Sequence, residues 1–286
     1  MPPPMPPAMT AARKHLSRRK AAVAGSELEC ERRAHVAVLT LARPERRNSL
    51  TEAVLIALKA AIEDAAHDRD VRAVIIAGKG SVFSAGHDLR ELTAHRTDAD
   101  GGRAYYSLIM RRCNDMMRAI IDCPKPVIAA VEGAALAAGC QLVATCDLAV
   151  AADSASFCTP GVNIGLFCST PMVAVSRNVG RKLAMEMLLL GEMLEARAAM
   201  EHGLVNRVVP ADRVMEVALA LAGRIAELPA ATIAIGKRAF YRQIEMAQTD
   251  AYAHVAEVMV DNMLHAEAAE GIDAFLAKRV PIWGAP

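Results

Sequence analysis

The sequence predicts an α/β fold followed by a helical region. Three observations carry this reading. Between residues 29 and 210, short aliphatic runs alternate with segments of helical periodicity. Beyond Pro210 every segment has helical periodicity and none reads as a strand. Hydrophobic residues make up 53% of the 286 residues but aromatics only 3%, so the core must be built from Ala, Val, Leu, Ile and the 15 Met.

Residues 1–28 stand apart. Five of the first seven residues are Pro, and residues 1–26 hold Arg13, Lys14, Arg18, Arg19 and Lys20 with no acid. This basic, Pro/Ala-rich stretch reads as a disordered tail. The alternative is an organelle transit peptide, which shares the basic, acid-poor composition, although the prolines suit a helical presequence poorly. The first strand is expected at His35–Leu41. A helix follows, with Ser49 and Glu52 spaced as a capping box and Val54, Leu55, Leu58, Ala61, Ile62 and Ala65 on one face. Val71–Ala77 is a largely β-branched and aliphatic run closing on Gly78. Residues 103–121 read as a helix, ended by Pro124 and Pro126. Val127–Val131 and Leu148–Ala151 are expected as buried strands, and Leu204–Val209 as a short one. Helices are expected over 211–227, 230–243, 248–264 and 267–278. The plan is therefore a tail (1–28), an α/β core (29–210) and a helical region (211–286).

The net charge of +1 conceals an asymmetry. Without its first 26 residues the chain has 28 basic against 32 acidic side chains, which argues against nucleic acid as a partner. No run of about 18 apolar residues is free of charge, so no membrane span is expected. The seven Cys form no C-x-x-C pair and read as reduced, mostly buried thiols of a cytoplasmic protein; if the tail is a transit peptide, the location becomes the mitochondrial matrix. The eight His show no metal-ligand spacing, and no metal is expected. No Gly-x-Gly-x-x-Gly follows a strand, Gly78-Lys79-Gly80-Ser81 lacks P-loop spacing, and Ser84 lacks the first Gly of a nucleophile elbow.

Two segments carry chemistry. The first, Phe83-Ser84-Ala85-Gly86-His87-Asp88-Leu89-Arg90-Glu91-Leu92, follows the Val71–Ala77 strand. The second, Ala134 to Leu142, includes Ala137-Ala138-Gly139-Cys140-Gln141. Small residues let a backbone approach a ligand closely. The N–H groups of a helix's first turn lack intrahelical partners and carry the positive end of the dipole. Such a turn suits a thioester oxygen gaining negative charge.

With these two segments the chain resembles the crotonase (enoyl-CoA hydratase/isomerase) superfamily, and within it the enoyl-CoA hydratase domain-containing proteins. The marks are Arg43-Pro44 with Asn48-Ser49-Leu50, Ser84 to Leu89, Pro124 to Val131, Ala138-Gly139-Cys140, Cys146-Asp147, Phe157 to Gly165 and Phe275 to Arg279. The resemblance implies a ClpP-like spiral of ββα units with a C-terminal region that builds a trimer, or a hexamer of two trimers. It implies an acyl-CoA thioester as substrate, coenzyme A entering only as part of that substrate with no further cofactor. It implies an oxyanion hole from the backbone N–H groups of His87 and Ala138. Arg43, the loop of Ala85, Gly86, Asp88 and Leu89, and Arg90 would bind the CoA portion, with Phe275 and Lys278 reaching it from a neighbouring subunit.

The chain departs from that pattern at two positions. Hydratases of the superfamily carry one Glu just after the Gly-Cys turn and another just after the later Pro; here these are Gln141 and Gly161. A carboxamide exchanges no proton near neutral pH, and Gly has no side chain. General acid–base help is worth about 10²–10⁴-fold per group, so hydration or isomerisation by the usual route is not expected. The remaining readings are an acyl-CoA enzyme with a different reaction, or a non-catalytic acyl-CoA binder or modulatory subunit. Gly161 is expected to enlarge the pocket toward a branched or bulky acyl group, and to strain any replacement if its φ is positive. His87 is the imidazole placed to stand in for a missing acid, or else to orient its loop; Cys168 reads as a buried small residue. Asp88 and Asp147 read as hydrogen-bonding residues of a loop and a helix.

Overall fold

The computed structural model describes residues 19–21 and 27–283. Among them, two sheets share one core. The chain opens with strands β1 (Arg19–Ala21), β2 (Leu28–Arg33) and β3 (Val36–Leu41). Helix α1 (Glu52–His67) begins at Thr51, whose hydroxyl accepts the Val54 N–H, and buries Val54, Leu55, Leu58, Ile62 and Ala65. The expected Ser49/Glu52 capping box is therefore absent, and the cap falls two residues later with Val54 in the third position. The Ser49 hydroxyl instead donates to the Asp88 carboxylate at 2.9 Å.

From here a unit repeats: a strand in the large sheet, a strand in the small sheet, then helix. The first copy is β4 (Ala73–Gly78), β5 (Val82–Ser84), α2 (Leu89–Ala94) and the long α3 (Arg103–Asp122). The second is β6 (Val127–Val131), β7 (Ala134–Leu136) and α4 (Ala138–Thr145). The third is β8 (Leu148–Ala152), β9 (Ser156–Cys158), a 3₁₀ turn over Pro160–Ile164 and α5 (Pro171–Asn178). There follow α6 (Arg181–Leu190), β10 (Leu194–Glu195), α7 (Ala196–Glu201) and β11 (Arg207–Val209), then α8 (Val214–Ala226), α9 (Ala230–Gln243), α10 (Gln248–Met263) and α11 (Ala266–Leu276).

The large sheet runs β1-β2-β3-β4-β6-β8-β11, with β3 onward all parallel. Its central strands are covered on both faces, which is why Val127–Val131 is an unbroken buried apolar run. The small sheet runs β10-β9-β7-β5, with β5, β7 and β9 parallel. These three-residue strands are too short for periodicity to signal, and the sequence reading does not separate them.

Two expected boundaries move. Residues assigned to the tail enter the fold: Arg19–Ala21 pairs antiparallel with Arg32–Cys30 of β2, the Glu27 carbonyl accepts the Ala42 N–H, and Leu28 is buried. Residues 1–18 and 22–26, with the rest of the tail reading, lie outside the described residues. At the other end α8 packs against β3, β4, β6 and β8 and buries Val214, Ala218 and Ala222, so it closes the core. Only α9, α10 and α11 form an outlying group. No single helix among the described residues is long and apolar enough to cross a membrane.

Candidate active site

Parallel pairing builds the site. Ser84 of β5 is in register with Ala135 of β7, and Leu136 of β7 with Cys158 of β9. The segments that leave these strands, 85–88, 137–141 and 159–161, therefore emerge along one edge of the small sheet. The first two touch. A Cβ on Gly86, whose φ is +84°, would lie 3.0 Å from the Ala138 nitrogen and 3.0 Å from the Ala137 Cβ. A Cβ on Gly139 would lie 2.3 Å from the Ser84 carbonyl oxygen. Both positions need glycine because backbone meets backbone there.

The hydrogen bonds of the first loop leave one donor over. Ala85 N–H donates to Arg47 O, Gly86 N–H to the Ser84 hydroxyl and Asp88 N–H to Leu50 O, while Leu50 N–H reaches Gly86 O. The N–H of His87 between them has no protein acceptor among the described residues. In the second turn Ala137 N–H donates to Cys158 O, and Ala138 opens α4 with its N–H free of any intrahelical bond. Ala137 sits at φ 48°, ψ −117°, a conformation an alanine adopts only under strain. The sequence carries no sign of it, because the residue is not Gly. Two unpaired N–H groups thus lie on adjoining turns, at the residues the sequence nominates.

Around them the polar groups are accounted for. Asn48 ties the loops together: its side-chain N–H₂ donates to Lys79 O and Val82 O, its Oδ1 accepts Arg43 N–H, and its carbonyl accepts the Ser84 hydroxyl. The sequence marks Asn48 as a family position but not as this brace. Asp88 caps α2, accepting the N–H groups of Arg90 and Glu91. Burial alone would raise its carboxyl, but the bonds from Ser49, Glu91 and Arg90 and the charge of Arg43 hold it below the ordinary Asp range. Asp147 is likewise a structural acceptor, for Val127 N–H, Lys237 and Tyr241.

Three polar atoms are left over. His87 Nδ1 and Nε2 and Gln141 Oε1 are out of solvent and without a hydrogen-bond partner. Burial lowers the His87 pKa, which disfavours the charged ring, and the neighbouring Leu50 carbonyl opposes this. Gln141 is 5% exposed.

Gly161 corrects an expectation. Its φ is not positive, and the room a side chain would need is already filled. A Cβ would lie 2.6 Å from the Leu166 carbonyl oxygen and 2.9 Å from Cys168 Sγ, and Leu166 N–H closes the turn onto Gly161 O at 2.9 Å. The missing side chain tightens the 161–168 loop and does not enlarge a pocket. Cys168 is buried, and burial raises its thiol pKa, as it does for Cys140, pushed up to about 12, and Cys158, to about 11. These thiols are not poised as nucleophiles.

The residues nominated for the CoA portion divide. Ala85, Gly86, Asp88 and Leu89 form the loop itself, and Arg90 stands exposed beside it, in no ion pair among the described residues. The Arg43 guanidinium is bound to the Glu27 carboxylate, with Glu45 at 3.7 Å, so a phosphate would have to compete for it. Phe275, 81% exposed, and Lys278 sit at the end of α11, which packs on α9 and α10.

The residue pattern of the enoyl-CoA hydratase/isomerase family matches residues 31–286. The chain belongs to that family. The rat enoyl-CoA hydratase domain-containing protein 3, mitochondrial, is 46% identical over 245 residues, 86% of this chain and 80% of that protein. The 2,3-dehydroadipyl-CoA hydratase of Escherichia coli is 35% identical over 257 residues, 90% of this chain and 98% of that one. Among solved structures, an enoyl-CoA hydratase of Mycobacterium smegmatis superposes with a TM-score of 0.85 at 49% identity, over 90% of this chain and 98% of that one. The human enoyl-CoA hydratase domain-containing protein 3 gives 0.85 at 44%, over 90% and 100%. The fold is the crotonase fold, and these matches bear out the resemblance to the enoyl-CoA hydratase domain-containing proteins.

Proposed function

We propose that this enoyl-CoA hydratase/isomerase family member binds acyl-CoA thioesters and holds negative charge on the thioester oxygen with the N–H groups of His87 and Ala138, without ordinary hydratase activity. The observation that carries this is the pair of unpaired N–H groups on adjoining turns, backed by the helix dipole of α4. Both acid–base positions lack a carboxylate, so the function is that of an oxyanion site without its usual proton carriers. A non-catalytic acyl-CoA binder or modulatory subunit uses the same geometry and is favoured by the same two positions. Incubation with a panel of CoA thioesters, followed by mass spectrometry, separates the two: any new product identifies an enzyme.

Binding is tested by calorimetry with acetyl-, crotonyl- and longer-chain CoA. We expect saturable binding to each, weakened several-fold by Arg90→Ala or Lys278→Ala if these meet the CoA phosphates. Unchanged affinity in both variants would leave them as solvated charges, and no binding of any thioester would end the proposal.

The partners proposed are an acyl-CoA and further copies of the chain, as a homotrimer or a hexamer. Helices α9 and α10 bury no residue, while Met259, Val260 and Met263 on α10 and Leu264 at its C-cap stand 51–81% exposed. Further exposed apolar side chains lie elsewhere, at Leu166, Phe167, Met185, Leu189 and Leu190, each at least 45% exposed. Exposed apolar residues in two separate parts of one chain suit a closed head-to-tail ring, which joins two different surfaces. Light scattering at micromolar concentration is expected to return three or six times the chain mass; a monomer would refute the assembly. The vertebrate relatives named mitochondrial support a mitochondrial matrix location over the cytoplasmic one.

A further inference from the structure

This inference rests on the thioester reading. Gln141 lies one turn into α4, beyond the Ala138 N–H, and its Oε1 is buried without a donor. The hydroxyls of this part of the fold point elsewhere. The Ser84 hydroxyl is committed to Asn48 O, the Thr145 hydroxyl to the Gln141 main-chain carbonyl and the Thr159 hydroxyl to Met187 O. A buried amide oxygen left without a donor is costly, and none of the described residues donates to it. The ring of His87, on the adjoining turn, is likewise without a partner at either nitrogen.

An unsubstituted acyl chain, saturated or enoyl, has no hydrogen to donate beside the thioester. Bound there, it leaves Oε1 unpaired. A hydroxyl supplies a donor and an acceptor together. It satisfies Gln141 whichever way the carboxamide faces, since the two ends of that group interchange by a half-turn. We infer that Gln141 is a specificity-determining residue, selecting CoA thioesters whose acyl chain carries a hydroxyl close to the thioester over those whose chain does not. A glutamate in its place could pass a proton; the carboxamide can only read a hydrogen bond.

The test is calorimetry on the full chain with butyryl-CoA, crotonyl-CoA and both stereoisomers of 3-hydroxybutyryl-CoA. At least one hydroxylated isomer is expected to bind about tenfold or more tighter than butyryl-CoA. Gln141→Met, of similar length without the amide, is expected to bring that ratio close to one. Equal affinities in the wild-type chain would overturn the inference, with an ordered water satisfying Oε1 instead. A preference that survives Gln141→Met would overturn it as well. The wild-type comparison needs no variant, so it stands even if Gln141→Met does not fold. Butyryl-CoA binding without a hydroxyl preference sinks this inference alone, whereas failure of every thioester to bind sinks the thioester reading and this one with it.

Discussion

Wild-type protein is expected to hydrate crotonyl-CoA at least about 10⁴-fold more slowly than a family member that carries both carboxylates, assayed side by side. Water must lose a proton as it attacks, and the α-carbon must gain one. Gln141 can do neither, and Gly161 offers no group at all. The hole should persist in full, because it is made of main chain, and removing one such donor from a working site costs about 3 kcal/mol. The deficit is therefore expected in turnover and not in thioester affinity. A rate near that of the two-carboxylate enzyme, unaffected by Gln141→Ala, would mean that another group moves the protons. His87→Ala is then the variant to measure, after its loop is shown to be ordered.

Restoring the acids should be unequal. A carboxyl at position 141 would sit where the amide is now buried, which raises its pKa and keeps a proton available near pH 7. Gln141→Glu alone is expected to raise hydration by up to about 10²-fold. Adding Gly161→Glu is expected to lower the melting temperature and give no further rate. A main-chain oxygen 2.6 Å from the new Cβ cannot swing aside as a side chain can, and overpacking of this kind costs about 1–3 kcal/mol. A double variant faster than Gln141→Glu and equally stable would show that the 161–168 loop yields.

The long elements were legible in the sequence because their patterns are long. Val127–Val131 and Ala230–Gln243 fall where the periodicity places them, and α1 shows its buried stripe in the spacing of Val54, Leu55, Leu58 and Ile62. The small sheet was not legible, since β5, β7 and β9 have three residues each. Its parallel register is nevertheless what sets the two turns side by side. The turns themselves were legible through Gly86 and Gly139, whose lack of a side chain is a direct trace of close approach. Gly161 shows the limit of that logic. The same residue type reads equally as open space or as a tight contact, and only the position of the Leu166 carbonyl decides. Arg43 is a similar case: as a lone cation it suits phosphate, but its partner Glu27 fell within the stretch taken for tail. The Asn48 brace and the strained Ala137 depend on long-range contacts that spacing along the chain does not encode.

The largest stability effect is expected at Asp147. This carboxylate holds three donors: Val127 N–H at 2.7 Å and Lys237 Nζ at 2.7 Å on one oxygen, and the Tyr241 hydroxyl at 2.9 Å on the other. Lys237 also donates to the carbonyls of Ile120 and Lys125, and its side chain is only 7% exposed. Burial, and then the Asp147 charge, push the Tyr241 phenol far up, so it remains a donor at any ordinary pH. Lys237 and Tyr241 both belong to α9, a helix with no buried residue, so this cluster is a main tie between the outlying helices and the core. Asp147→Ala leaves the ammonium in a dry site without its counter-charge, a change that costs about 3–5 kcal/mol. The double variant Asp147→Ala/Lys237→Met removes the stranded charge as well and is expected to recover a large part of that loss. Urea denaturation of the three proteins measures it, with light scattering as a second readout, because an α9 released from the core should weaken the assembly. A single variant within about 1 kcal/mol of wild type would mean that water already reaches the pair. A double variant less stable than Asp147→Ala would mean that Lys237 contributes chiefly through the carbonyls of Ile120 and Lys125, and that α9 is anchored by those bonds more than by the ion pair.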